Sequence, residues 1–138
     1  MLQAFGADIN LEKNNNKTSI FIKGKQELKS NNINVPSDLS SSAFFIIAAL
    51  INKGSKINLN NININPSRDG ILKALKKMGA KISIENKRTV SGEVVADLEV
   101  EYSNLVGCEL DAEMAKFMID EYPILSIAAA FAKGTSVF

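Results

Sequence analysis

The stretch AFFIIAALINKGSKI, residues 43–57, has a near-copy at 122–137, YPILSIAAAFAKGTSV. Aligning Gly54 with Gly134 places Lys53 on Lys133, Ser55 on Thr135 and Ile57 on Val137, with Ala48 and Ala49 on Ala128 and Ala129. Each copy reads as an apolar helix, a glycine stop and a strand, since helices often end on a residue with positive φ. A second pair joins LQAFGADI (2–9) to LKKMGAKI (75–82), with Gly6 on Gly79; there too a helix tail passes through Gly-Ala into a strand. The two offsets agree on a repeat of about 75 residues. The chain then holds the tail of one unit, one whole unit and the start of the next, which predicts a fragment of a larger repeat protein.

The intervening segments fill in the unit. TSIFIKG (18–24), INVP (33–36), KINLNNI (56–62), KISIE (81–85) and VADLEVEY (95–102) are β-branched or alternating and read as strands. SRDGILKALKKMGA (67–80) reads as an amphipathic helix, with Ile71, Leu72, Leu75 and Met78 on its apolar face and the lysines pointing away. The unit is βαβαββ or a close permutation, and the fold class α/β (α+β).

Composition narrows the function. With 46% hydrophobic residues the 138-residue chain can bury a core, which argues against disorder. A formal charge of +1, with both signs interspersed, offers no footprint for nucleic acid or an anionic membrane. The longest apolar run, Ala43 to Ile51, falls well short of the ~20 residues of a spanning helix. The N-terminus lacks the basic region and cleavage pattern of a signal peptide. The single cysteine, Cys108, forms no intrachain disulfide and fits a reducing compartment. These features predict a soluble, cytoplasmic protein. The absence of histidine excludes His-based triads and argues against a zinc site.

Three helix heads carry the chemistry. In VPSDLSSSAFF (35–45) Pro36 fixes an extended approach, and Asp38 or Ser40 can cap the first turn. Helix heads also attract anions, but Asp38 would repel a phosphate placed directly on it. In NPSRDG (65–70) Pro66 and Ser67 suit a helix start, Asp69 a first turn, and Arg68 either pairs with a nearby acid or reaches an anion. In MIDEYP (118–123) Asp120 and Glu121 stand at the head of the last helix, with Pro123 in its first turn. One carboxylate suffices as a cap. The second leaves room for a role in accepting a proton or holding a hydroxyl. Cys108 reads as a small, mostly buried residue in or near a strand, with no basic neighbour to activate it.

VPSDLSSSAFFIIAALI, NPSRDGILKALKKMGAKI, GEVVADLEVEY and MIDEYPILSIAAAFAKGTSVF resemble, in order and spacing, consecutive blocks of the 5-enolpyruvylshikimate-3-phosphate synthase (3-phosphoshikimate 1-carboxyvinyltransferase) family. MLQAFGADI and IKGKQELKSNNINVP resemble the block just upstream. The resemblance implies the inside-out α/β barrel of the enolpyruvyl transferases, built from βαβαββ repeats and incomplete here. Residues 1–36 would end its first domain and 37–138 begin its second, with a hinge near Pro36–Asp38. Helix N-termini would face a cleft that binds shikimate 3-phosphate and phosphoenolpyruvate. The reaction implied transfers an enolpyruvyl group from phosphoenolpyruvate to the 5-hydroxyl of shikimate 3-phosphate and releases phosphate, with no metal or organic cofactor. The matching aspartate is Asp120, which would touch that hydroxyl and accept its proton, as both the catalytic and the substrate-binding residue; Glu121 and Arg68 inherit no role.

Other motifs of that family are missing. Its N-terminal lysine motif and its Ser-Ser/Ala-Gln stretch are absent, and SSS at 40–42 is not that stretch. Its catalytic glutamate and lysine would lie beyond Phe138. The chain alone is therefore expected to be inactive. Two alternatives stand beside this reading. A UDP-N-acetylglucosamine enolpyruvyl transferase fragment shares fold and chemistry, but Cys108 does not match its reactive cysteine. A non-catalytic assembly module would use exposed repeat faces to self-associate.

Overall fold

The computed structural model describes residues 2–15 and 17–138. After a short 3-10 turn (Leu2–Phe5) come strands β1 (Ile9–Asn14) and β2 (Lys17–Ile22), helix α1 (Leu39–Ile51), strand β3 (Lys56–Asn63), helix α2 (Gly70–Lys77), strands β4 (Lys81–Val90) and β5 (Glu93–Glu101), two 3-10 turns (Ala112–Phe117 and Ile119–Glu121) and helix α3 (Tyr122–Phe131). From Ser37 to Glu101 the order is the βαβαββ unit, with its first strand reduced to one bridging residue. The four aligned glycines Gly6, Gly54, Gly79 and Gly134 have φ of +85, +84, +81 and +95°. Each turns the chain out of a helical segment in a conformation that side chains disfavour, so the repeat read from sequence is a repeat in space.

β5 is the centre of a three-stranded antiparallel sheet, flanked by β3 and β4. Its Val95, Ala96, Leu98 and Val100 are buried. α1 lies over this sheet and against α3, contributing Ala43, Ile46, Ile47 and Leu50 to one continuous core. α2 adds Ile71, Leu72 and Leu75, with Met78 just beyond it, the four residues of the predicted apolar face. Burial on this scale, roughly 1.5–3 kcal/mol for each large side chain, locks the helices onto the sheet.

Asp97 shapes the sheet. Both neighbours of β5 bulge beside it, β3 between Leu59 and Ile62, opposite Asp97, and β4 between Glu85 and Arg88, opposite the adjacent Ala96. Its carboxylate accepts from Asn61 N at 2.7 Å, Asn86 Nδ2 at 3.0 Å and the Arg88 guanidinium at 3.3 Å. Asn61 and Asn86 have positive φ, at 58° and 48°, and Asp97 ties both bulges to the central strand.

Several expected boundaries move. INVP (33–36) is not a strand: Pro36 has no N–H to give a ladder, and only Ser37 bridges, in parallel, to Ile62. α2 starts at Gly70 rather than 67, because Asn65 Oδ1 accepts from Ser67 N and Ser67 Oγ and folds 65–68 into a turn. β4 runs to Val90, five residues past the expected end, into a two-residue turn at Ser91 (φ 51°) and Gly92 (φ 83°) that matches the twist of a hairpin. The strand expected after Gly134 is reduced to one parallel bridge, Glu109 to Val137, with another, Val106 to Lys133, just before the glycine. β1 and β2 form a hairpin whose Leu11, Ile20, Phe21 and Ile22 are all exposed.

Candidate active site

The heads of α1, α2 and α3 meet at one edge of the unit. At α1, Asp38 is the cap: its Oδ2 accepts from Ser41 N at 2.7 Å and Ser41 Oγ at 2.8 Å. The hydrogen bond from the Ser41 amide holds its carboxyl below the usual aspartate value, with the Ser41 hydroxyl adding to the effect. Before α2, the Asn65 turn sets Arg68 at the tip of its loop, where Arg68 N donates to Asn65 O at 2.8 Å. Asp69, at the cap position, makes no side-chain cap and pairs with Lys73 at 2.6 Å. A cleft of about 300 Å³ opens between these two heads, lined by Ser37, Asp38, Ser40, Asn63, Arg68 and Glu93 among others.

The approach to α3 supplies the carboxylates. Neither caps the helix: Glu121 occupies the cap position but its side chain accepts no hydrogen bond from the first turn, and Asp120 lies one residue before it. The expectation that one of the pair caps this helix is not met. The two instead diverge. Glu121 is 4% exposed, and Ser40 Oγ of α1 donates to its Oε1. Asp120 faces outward with its side chain 71% exposed, and its Oδ2 stands 3.8 Å from Arg68 Nη2. The same Nη2 donates to Ser40 Oγ at 3.2 Å. Arg68 thus pairs with an acid, as expected, and links Asp120 to a residue lining the cleft.

The 3-10 geometry before α3 follows from close packing. Met118 is 1% exposed. A Cβ on Gly70 would stand 2.8 Å from Met118 Cβ and 2.9 Å from the Phe117 carbonyl carbon, so only glycine lets this segment lie on the head of α2. The Phe117 ring takes Lys73 and Lys116 Nζ at 5.3 Å each from its centroid.

Cys108 is half-buried in a segment that bridges to 133–137, and burial pushes its thiol up, away from the reactive thiolate. Among the described residues no group of three or more His, Cys, Asp or Glu is placed to hold a metal ion, and no helix is long and apolar enough to cross a membrane. Sequence reasoning singled out Asp120, Arg68 and Glu121 but missed the cleft residues Asn63 and Glu93 and the part of Ser40 as the link. Asn63 sits in an asparagine-rich run that offers no local contrast.

A βαβαββ unit with the heads of α1 and α2 opening on a cleft, and that of α3 beside them, agrees with the α/β repeat domain of the enolpyruvyl transferases that the sequence resembles. The profile of EPSP synthase (3-phosphoshikimate 1-carboxyvinyltransferase) matches residues 1–138. Over 137 residues the chain is 46% identical to the 3-phosphoshikimate 1-carboxyvinyltransferase of Crocosphaera subtropica and 47% to that of Cereibacter sphaeroides, in each case across 99% of this chain and 30% or 31% of the relative. Its structure overlays an EPSP synthase from Acinetobacter baumannii with a TM-score of 0.87 and 41% identity, covering 98% of this chain and 30% of that one. The chain belongs to the EPSP synthase family, and it spans about 30% of the length of the curated relatives it matches.

Proposed function

We propose that this chain forms part of the active site of an EPSP synthase, in which Asp120 meets the 5-hydroxyl of shikimate 3-phosphate and accepts its proton. The observation that carries this reading is the exposed Asp120 carboxylate beside Arg68, which lines the cleft between helix heads, in a chain that matches the family along its whole length. A proton added to the methylene carbon of phosphoenolpyruvate by an acid of the complete site makes the phosphate-bearing carbon electrophilic, and the hydroxyl oxygen bonds to that carbon as its own proton passes to Asp120. Loss of a proton from the new methyl group then restores the double bond as the bond to the phosphate oxygen breaks and phosphate leaves. A positioned carboxylate is worth about 10²–10⁴-fold in such a step.

In this reading residues 1–36 close one domain and 37–138 open the next, with the hinge near Pro36–Asp38, residues that also line the cleft. The proposed setting is the cytoplasm. The site also needs cationic groups for two multiply charged substrates, and among the described residues the cleft lining holds one, Arg68. The isolated chain is therefore inactive. The names of the relatives favour shikimate 3-phosphate over a UDP-sugar as the acceptor. The assembly-module alternative keeps one supporting feature, the exposure of Phe44, Phe45 and Phe131 on α1 and α3.

The test is phosphate release from shikimate 3-phosphate and phosphoenolpyruvate. It compares the folded 138-residue chain with the same residues carried in place of the matching segment of the Acinetobacter baumannii enzyme. Release by the enzyme-length protein alone is expected. Release by the isolated chain, lost on Asp120→Asn, would overturn the account of inactivity.

A further inference from the structure

We propose that Glu121 and Ser40 anchor the Arg68 guanidinium, and that Arg68 so held is the residue that positions the Asp120 carboxylate. The inference rests on the reading of Asp120 as proton acceptor and assigns parts to Glu121 and Ser40, which that reading leaves idle, and a positioning part to Arg68. Glu121 is one of three buried polar residues among those described, and the only acidic one. A buried carboxylate requires a hydrogen-bonding partner, and Glu121 draws it from Ser40, 81 residues earlier in the chain. That bond commits the one hydroxyl proton of Ser40. Its lone pairs then face Arg68 Nη2, which donates at 3.2 Å and stands 3.8 Å from Asp120 Oδ2.

Starting helices does not explain these contacts. Asp38 caps α1, and the Glu121 side chain caps nothing. An Arg–Asp pair with both side chains more than half exposed gains little by itself, because ordering the long arginine offsets the attraction. The Ser40 contact orders the guanidinium independently of Asp120, and the Asn65 turn fixes the backbone from which it extends. Asp120 then meets a cation already in place.

The test is nuclear magnetic resonance on the 138-residue chain, which contains only two arginines, Arg68 and Arg88. Arg88 bonds to Asp97, Asn61 and Asn86, apart from this network, and serves as the internal control. Ser40→Ala should speed guanidinium rotation and proton exchange at Arg68 by about threefold to tenfold, the worth of one hydrogen bond. Arg88 should not change. The Hα–Hβ couplings of Asp120 should move from one dominant rotamer toward averaged values. Ser40→Thr should restore both readouts, Glu121→Leu should match Ser40→Ala, and Arg68→Ala should average the Asp120 couplings. Asp120→Asn should leave Arg68 slow, since the anchor lies on the other side. An Arg68 that rotates freely in the wild-type chain, or Asp120 couplings indifferent to Ser40→Ala and Arg68→Ala, overturns the proposal. These readouts do not depend on turnover. If activity survives Asp120→Asn while the couplings respond as expected, the acceptor reading fails and the positioning stands.

Discussion

Gly70→Ala tests how the carboxylate-bearing segment is held. The new methyl carbon would lie 2.8 Å from Met118 Cβ, 2.9 Å from Met118 Cγ and 2.9 Å from the Phe117 carbonyl carbon. Carbon atoms pack best at about 3.5–4.0 Å, so roughly 0.7 Å of separation must be found. A rotamer change at Met118 moves Cγ but neither Cβ nor the Phe117 backbone. The 3-10 segment itself must lift, and Met118 leaves its buried site. Overpacking of this kind costs about 1–3 kcal/mol. Replacing glycine in a helix returns at most about 1 kcal/mol, and less at the first helical residue. The net loss is about 1–2 kcal/mol. Urea unfolding should show the midpoint falling by about 0.5–1 M with the slope unchanged, for a slope near 2 kcal/mol/M. Gly24→Ala is the control, since nothing lies within 4 Å of its Cβ. In the enzyme-length protein, lifting 117–118 also displaces Asp120, so kcat should fall more than KM rises. A midpoint for Gly70→Ala at or above wild type would refute the packing argument.

Other consequences are smaller or more local. Asp38→Ala removes the α1 cap and should cost about 0.5–2 kcal/mol, while Asp38→Asn, which still accepts from the Ser41 amide, should cost much less in the same titration. Asp97 is held below the ordinary aspartate value of 3.8, mainly by the Asn61 amide and then by Asn86 and Arg88. Its contribution is therefore complete above that value and lost as pH falls through the lowered native one. Unfolding measured from pH 6 down to pH 2 should show that loss in wild type and a flatter acid limb in Asp97→Asn. Phe44, Phe45 and Phe131 are each at least 60% exposed, so sedimentation should reveal concentration-dependent association of the isolated chain, weakened by Phe44→Ser with Phe45→Ser; a monomer at all concentrations would argue against it.

Local grammar made the repeat legible. A glycine that ends a helix and launches a strand leaves the same trace wherever it occurs, and the four such glycines share one backbone conformation. The apolar face of α2 was readable because its period is set by the helix itself. The behaviour of Glu121 was not. At a helix head its sequence neighbours suggest a cap, yet its partner Ser40 lies on another helix, and nothing near residue 121 announces it. The same holds for the bulges at Asn61 and Asn86, which depend on Asp97 from a different strand. INVP misled because its branched residues outvoted the proline, whereas in the fold the missing N–H decides. Asp120 is singled out by resemblance rather than geometry, since an exposed acid before a helix looks like many others.

The most direct measurement is the steady-state rate of phosphate release by the enzyme-length protein carrying this chain, with and without Asp120→Asn. If Asp120 accepts the hydroxyl proton, the substitution lowers kcat by about 10²–10⁴-fold, with KM for both substrates little changed and the unfolding midpoint preserved. A kcat within about threefold of wild type would contradict the account and move the acceptor to another residue.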